Sequence, residues 1–214
     1  MTVPITVLTA LISWQGFSRP ALVERYLFDR ERIVRDGQWY RTITSAFFHA
    51  DWGHLLFNLI SFYSFASGVE RLYGGGILLL IYLASILGGS ALSFWLHRGE
   101  SYRALGASGG VCGVIYASIF LLPGSSIYIF FIPYPIPASI YAVLFLVVSI
   151  WGIKSRMGNI GHDAHLGGAL VGLLVTSLLY PRIIQAQPIL FATILIISIA
   201  LMIWLLRHRN TRRF

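Results

Sequence analysis

Apolar residues in this chain fall in long blocks, separated by short polar or glycine- and proline-containing segments. A bilayer crossing needs about 20 apolar residues, and fewer where the membrane is thinned. Seven blocks come near that length. The first, about Thr2–Phe17, carries Thr6, Thr9, Ser13 and Gln15; it has no basic leader and no small-x-small cleavage site, so it reads as a retained span. Arg19 to Arg41 is too polar to cross, and Tyr26, Phe28, Trp39 and Tyr40 among its arginines predict a loop lying in the interface. The second and third blocks, about Gly53–Tyr73 and Gly75–His97, meet at a Gly74-Gly75-Gly76 turn, and the fourth runs from about Ala107 to Leu122. Pro133, Pro135 and Pro137 forbid a regular helix, which places the fifth from about Pro137 to Trp151. A polar loop, Lys154 to Gly161, leads to the sixth, about His162–Tyr180, and the seventh follows at about Pro188–Leu206.

These blocks predict an all-α polytopic membrane protein. It is read as a single domain over residues 1–214, with a six-span core to about residue 181, an additional C-terminal span over about 188–206 and a basic tail at 207–214. No period of 20–50 residues suggests repeats. Composition agrees: 57% of residues are hydrophobic and 11% charged, against about 25% charged in soluble domains. The net charge of +8 does not indicate nucleic-acid binding, because the arginines lie in loops between spans and in the tail. Cys112 is the only cysteine, so no intrachain disulfide is possible.

Polar groups at membrane depth need partners or a task. Gly106-Ala107-Ser108-Gly109-Gly110 places a hydroxyl at the mouth of the fourth span. It fits a nucleophile, but the glycines fit helix packing equally well: Gly106/Gly110 and Gly109/Gly113 are both small-xxx-small pairs. The Gly-x-Ser-x-Gly pattern does not indicate an α/β-hydrolase, since no strand precedes it. His165 opens the sixth span, with Gly168, Ala169 and Gly172 on its own face. Two small-residue faces can approach closely enough to bring imidazole and hydroxyl within the roughly 2.6–3.2 Å that proton transfer requires. His54 and Asn58, four apart, share a face of the second span. They read either as oxyanion donors or as interhelical hydrogen-bond partners.

Asp163, two residues from His165, points away from it on a helix, and Asp51 reaches it only by folding back, which predicts a dyad rather than a triad. His49 and His162 read as loop or interface residues. No carboxylate or cysteine completes a zinc set with them, so neither metal nor cofactor is expected.

Together these residues resemble the rhomboid family of intramembrane serine proteases. The matches are Trp39-Tyr40-Arg41, His49 with His54-x-x-x-Asn58, Gly106-x-Ser108-Gly109 and Ala164-His165-x-x-Gly168. The resemblance implies a rhomboid-like six-helix bundle, here with one added helix. It implies Ser108 as nucleophile, His165 as general base and acid, and an oxyanion site from His54, Asn58 and the Ser108 backbone N–H. Gly106, Gly109, His49 and Cys112 would support the site. The Lys154 to Gly161 loop would cap it, and the fifth helix would flank the substrate's entry. The implied activity is cleavage of the transmembrane segments of single-span or multi-span membrane proteins, with the lipid bilayer as its medium and the prokaryotic cytoplasmic membrane as its setting. The alternative is a catalytically silent relative that binds membrane segments in quality control or trafficking. A transporter is disfavoured by the lack of inverted repeats.

Two features depart from the family pattern. Cys112 stands where an aromatic residue often supports the histidine. In addition, 14 of the 16 basic residues fall on the Ser108 side of the expected spans, which by the positive-inside rule turns that side to the cytoplasm, whereas family members usually face it outward.

Overall fold

The computed structural model describes residues 1–127, 134–141, 143–144 and 161–208. Most of the expected fifth span, the loop from Lys154 up to Gly161 and nearly all of the basic tail lie outside these residues. Among the described residues, six helices stand where spans were expected: α1 (Thr2–Ser18), α5 (Trp52–Tyr73), α6 (Gly75–Leu96), α7 (Ser108–Leu121), α8 (His162–Leu179) and, after the short α9 (Arg182–Ala186), α10 (Pro188–His208). Of the described helices, Gly75–Leu96 is the one both long and apolar enough to cross a membrane; α7 and α8 are apolar but shorter.

Thr9 and Ser13 of the first block have a packing reason, while Gln15 is exposed. Thr2, Ile5, Thr9, Ser13 and Gly16 are buried on one face of α1, which packs on α5, while Val3, Val7, Leu8, Leu11 and Trp14 point outward. Small side chains let helices approach, so the inward face is the polar one.

The centre is the trio α6, α7 and α8. Helix α7 is buried along its length from Gly109 to Leu121, and glycine sets its distance from α8. A β-carbon at Gly168 would overlap the Gly109 carbonyl oxygen, and one at Gly172 would overlap the Gly113 backbone. The expected small-face contact between the fourth and sixth spans is therefore backbone against backbone. The Gly106/Gly110 pair does not act as a helix-packing pair. Gly106 lies before α7 with φ +125°, and Gly110 faces Tyr82 and Ile86 of α6.

The segment from Arg19 to Arg41, read as an interfacial loop, is folded. It holds α2 (Pro20–Tyr26), β1 (Phe28–Asp29) and α3 (Arg30–Asp36), and α4 (Arg41–Thr44) follows. Arg41 organises it. The guanidinium, 1% exposed, donates from Nε to Gln38 Oε1 at 2.6 Å and from Nη1 to the Leu27 and Glu24 carbonyls at 2.7 and 3.1 Å. Trp39 and Tyr40 stay exposed, as interfacial aromatics do. The all-α expectation needs one amendment. Strand β1 pairs antiparallel with β2 (Arg103–Ala104), and β3 (Ser126–Ile127) pairs with β4 (Ile136–Pro137). The first pair joins the folded loop to the segment that leads into Ser108.

Candidate active site

Ser108 is the first residue of α7, so its backbone N–H is among those with no partner inside the helix. The segment before it is held from two directions. The Gly106 N–H donates to the Ser45 carbonyl at 3.0 Å, and the Ala107 N–H donates to His49 Nε2 at 3.3 Å. At Gly106 the positive φ and the His54 ring, 2.8 Å from where a β-carbon would stand, both demand glycine.

His49 lies in the loop before α5, one of the two places the sequence suggested, but it is buried rather than interfacial. Its Nε2 accepts from Ala107, so its Nδ1 carries the proton and donates to Ser13 Oγ at 2.9 Å, and Ser13 Oγ donates onward to the Phe47 carbonyl at 2.8 Å. One neutral imidazole thus ties α1 to the turn before α7. Burial, and then the neighbouring His54, push His49 down to about 3, which keeps it neutral. Its ring meets that of His54 edge to face at 4.9 Å.

His54 and Asn58 lie one turn apart on α5, as their spacing predicts. The Asn58 side-chain amide donates to the His54 carbonyl at 3.0 Å. Asp51 does not fold back toward His165. It caps α5, its Oδ1 accepting from the His54 N–H at 2.8 Å.

A cavity of about 790 Å³ opens among these elements, and Ser108, His165, His54 and Asn58 all line it, together with Gly106, Gly109 and Asp51. Phe28, Ser45 and Ala46, from the folded first loop, complete one wall with Tyr102. Sequence reasoning missed these wall residues, because tertiary contacts bring them to the site: the β1–β2 pairing for Phe28, and the Gly106 hydrogen bond to the Ser45 carbonyl for Ser45 and Ala46. Cys112, 5% exposed, is buried beneath in the α7 core.

Helix α7 is short for a membrane crossing. The 14 residues of α7 rise about 21 Å, against a hydrocarbon core of about 30 Å.

A family model described as Rhomboid domain matches residues 36–182. Among curated proteins, the chain is 32% identical over 180 residues to RHOMBOID-like protein 12, mitochondrial, of Arabidopsis thaliana, covering 76% of this chain and 53% of that protein. It is 29% identical to Rhomboid protease GluP of Bacillus subtilis, covering 78% of this chain and 32% of that protein. It is 27% identical to Rhomboid protease AarA of Providencia stuartii, covering 79% and 66%. The chain thus spans between a third and about half of the length of the first two relatives. Bacterial, mitochondrial and chloroplastic proteins all occur among the relatives, which gives no support to a prokaryotic cytoplasmic membrane in particular. An integral membrane protein with this sequence pattern, this helical fold and this extent of match belongs to the rhomboid family.

Proposed function

We propose that the chain is an intramembrane serine endopeptidase that cleaves transmembrane segments of single-span or multi-span membrane proteins. The observation that carries this is the shared cavity, which Ser108, His165, His54 and Asn58 line at the start of a buried helix. The relatives named as rhomboid proteases support the same reading.

In this reading His165 takes the Ser108 hydroxyl proton as the oxygen attacks a peptide carbonyl. The developing oxyanion is held by donors from His54, Asn58 and the Ser108 N–H. Imidazolium then returns its proton to the leaving amine, and water, activated by the same histidine, releases the acyl group. The reaction needs neither metal nor cofactor. Substrates present a locally unwound stretch, since a regular helix hides its carbonyls.

The test is cleavage of a labelled transmembrane substrate by purified protein in liposomes, wild type beside Ser108→Ala and His165→Ala. Wild-type cleavage abolished in both variants is the expected result. Substrate binding without cleavage, and no labelling of wild type by a serine-directed fluorophosphonate, would establish the silent relative instead.

A further inference from the structure

A second polar cluster lies where α6 ends and α8 begins, and the reaction drawn above does not use it. His97 caps the C-terminus of α6. Its ring stacks flat on Tyr102, with centroids 3.7 Å apart and 7° between planes. Both ring nitrogens face carboxylates: Nδ1 is 3.1 Å from Glu100 Oε2, and Nε2 is 3.4 Å from Asp163 Oδ2. The other Asp163 oxygen accepts from the Tyr102 hydroxyl at 3.3 Å. Carboxylates only accept, so the ring holds both contacts, a hydrogen bond to Glu100 and a longer ion-pair contact to Asp163, only as imidazolium. Asp163 is 6% exposed, and a buried carboxylate in such a place requires this partnership.

The cluster bears on the site through the first turn of α8. The Ala164 carbonyl oxygen, between Asp163 and His165, lies 2.6 Å and 3.2 Å from where β-carbons would stand at Gly89 of α6 and Gly109 of α7. Ala164 and His165 line the cavity, and Tyr102 lies in the segment leading to Ser108. We infer that Asp163 is a positioning residue for His165: gripped by His97 and Tyr102, it fixes the first turn of α8 against the end of α6 and the approach to Ser108. Two residues apart on α8, Asp163 and His165 project to opposite faces, so the effect is carried through the helix. This role rests on the proposed protease reading.

The grip depends on pH. The groups facing His97 are Glu100 and Tyr102 from its own loop and Asp163 from α8, while Arg30 of α3 donates to the Phe94 carbonyl three residues earlier. Burial pulls His97 down, but Asp163 and then Glu100 outweigh it and hold it above its ordinary 6.5. Burial, and then the Asp163 charge, push the Tyr102 hydroxyl up, so it remains a donor. A histidine whose folded value is raised stabilises fully below 6.5, and that contribution is lost as pH rises through the folded value.

The experiment measures kcat and KM against pH in liposomes for wild type, Asp163→Asn, His97→Gln and His97→Arg. Rates are divided by the sites that a fluorophosphonate labels. Asp163→Asn and His97→Gln are expected to lose about tenfold or more in kcat, with KM within about twofold. Wild-type kcat should fall on the alkaline side, and His97→Arg, which keeps a planar cation, should hold its rate through that range. Unchanged kcat per labelled site in Asp163→Asn and His97→Gln overturns the inference, even if their thermal midpoints fall, because the cluster is then only structural. A wild type that neither cleaves nor labels overturns the protease reading itself, and this inference falls with it.

Discussion

At the residue scale, the site is held by hydrogen bonds whose loss has calculable consequences. Under the protease reading, Asn58→Ala removes one donor aimed at developing charge and is expected to lower kcat by about 10²–10³ with little change in KM; steady-state kinetics in liposomes check this. His49 leads to a prediction about stability. Its value lies near 3 in the folded protein and 6.5 in the unfolded chain. Between those limits the unfolded chain binds the additional proton, so stability is complete above pH 6.5 and falls as the pH drops toward 3. His49→Gln, which offers an acceptor that does not titrate, is expected to flatten that slope when thermal unfolding is followed from pH 7 to pH 4.

These residues differ in how legible they were. Ser108 and His165 stood out because glycine flanks and small-residue faces are local patterns. The resemblance marked His49 as a supporting residue, but how it acts was not visible, since its partners Ser13 and Ala107 lie 36 and 58 residues away and meet it only once α1 and α7 are packed. Asp51, by contrast, was within reach: an aspartate three residues before His54 at the start of an apolar helix is a capping signal.

At the element scale, the trio of central helices is organised by glycine. Gly168→Ala forces a methyl group into the Gly109 carbonyl, and Gly109 is backbone that cannot turn aside as a side chain can. Overpacking typically costs about 1–3 kcal/mol, so the thermal midpoint is expected to drop. Gly76→Ala, where nothing beyond its own helix backbone lies within 4 Å of the added carbon, is expected to leave it unchanged. The spacing of Gly109, Gly113, Gly168 and Gly172 announced this contact. The failure of the Gly106/Gly110 pair follows from where α7 begins, close to the Ala107 start that the sequence suggested, and the hydrogen bonds that Gly106 and Ala107 donate to Ser45 and His49 hold Gly106 outside the helix.

At the scale of the whole molecule, the fold changes the meaning of the charge count. Many arginines on the Ser108 side are structural. Arg41 is buried on loop carbonyls, Arg103 pairs with Glu24 and approaches Asp29, Arg32 approaches Asp29, Arg35 pairs with Asp36, and Arg30 binds the Phe94 carbonyl. The positive-inside rule describes short connecting loops and weakens for folded ones. The first loop is folded, so its arginines carry less topological information than their number suggests.

The glycine seam between α7 and α8 has a further consequence. A contact made of side chains can relax by changing rotamers, but one made of peptide groups has no such freedom. The separation of the two helices is set by van der Waals radii rather than by lipid or temperature. Swelling the bundle with detergent or alcohol should therefore leave the seam unchanged up to a threshold and then part it abruptly, so that the loss of function is all-or-none.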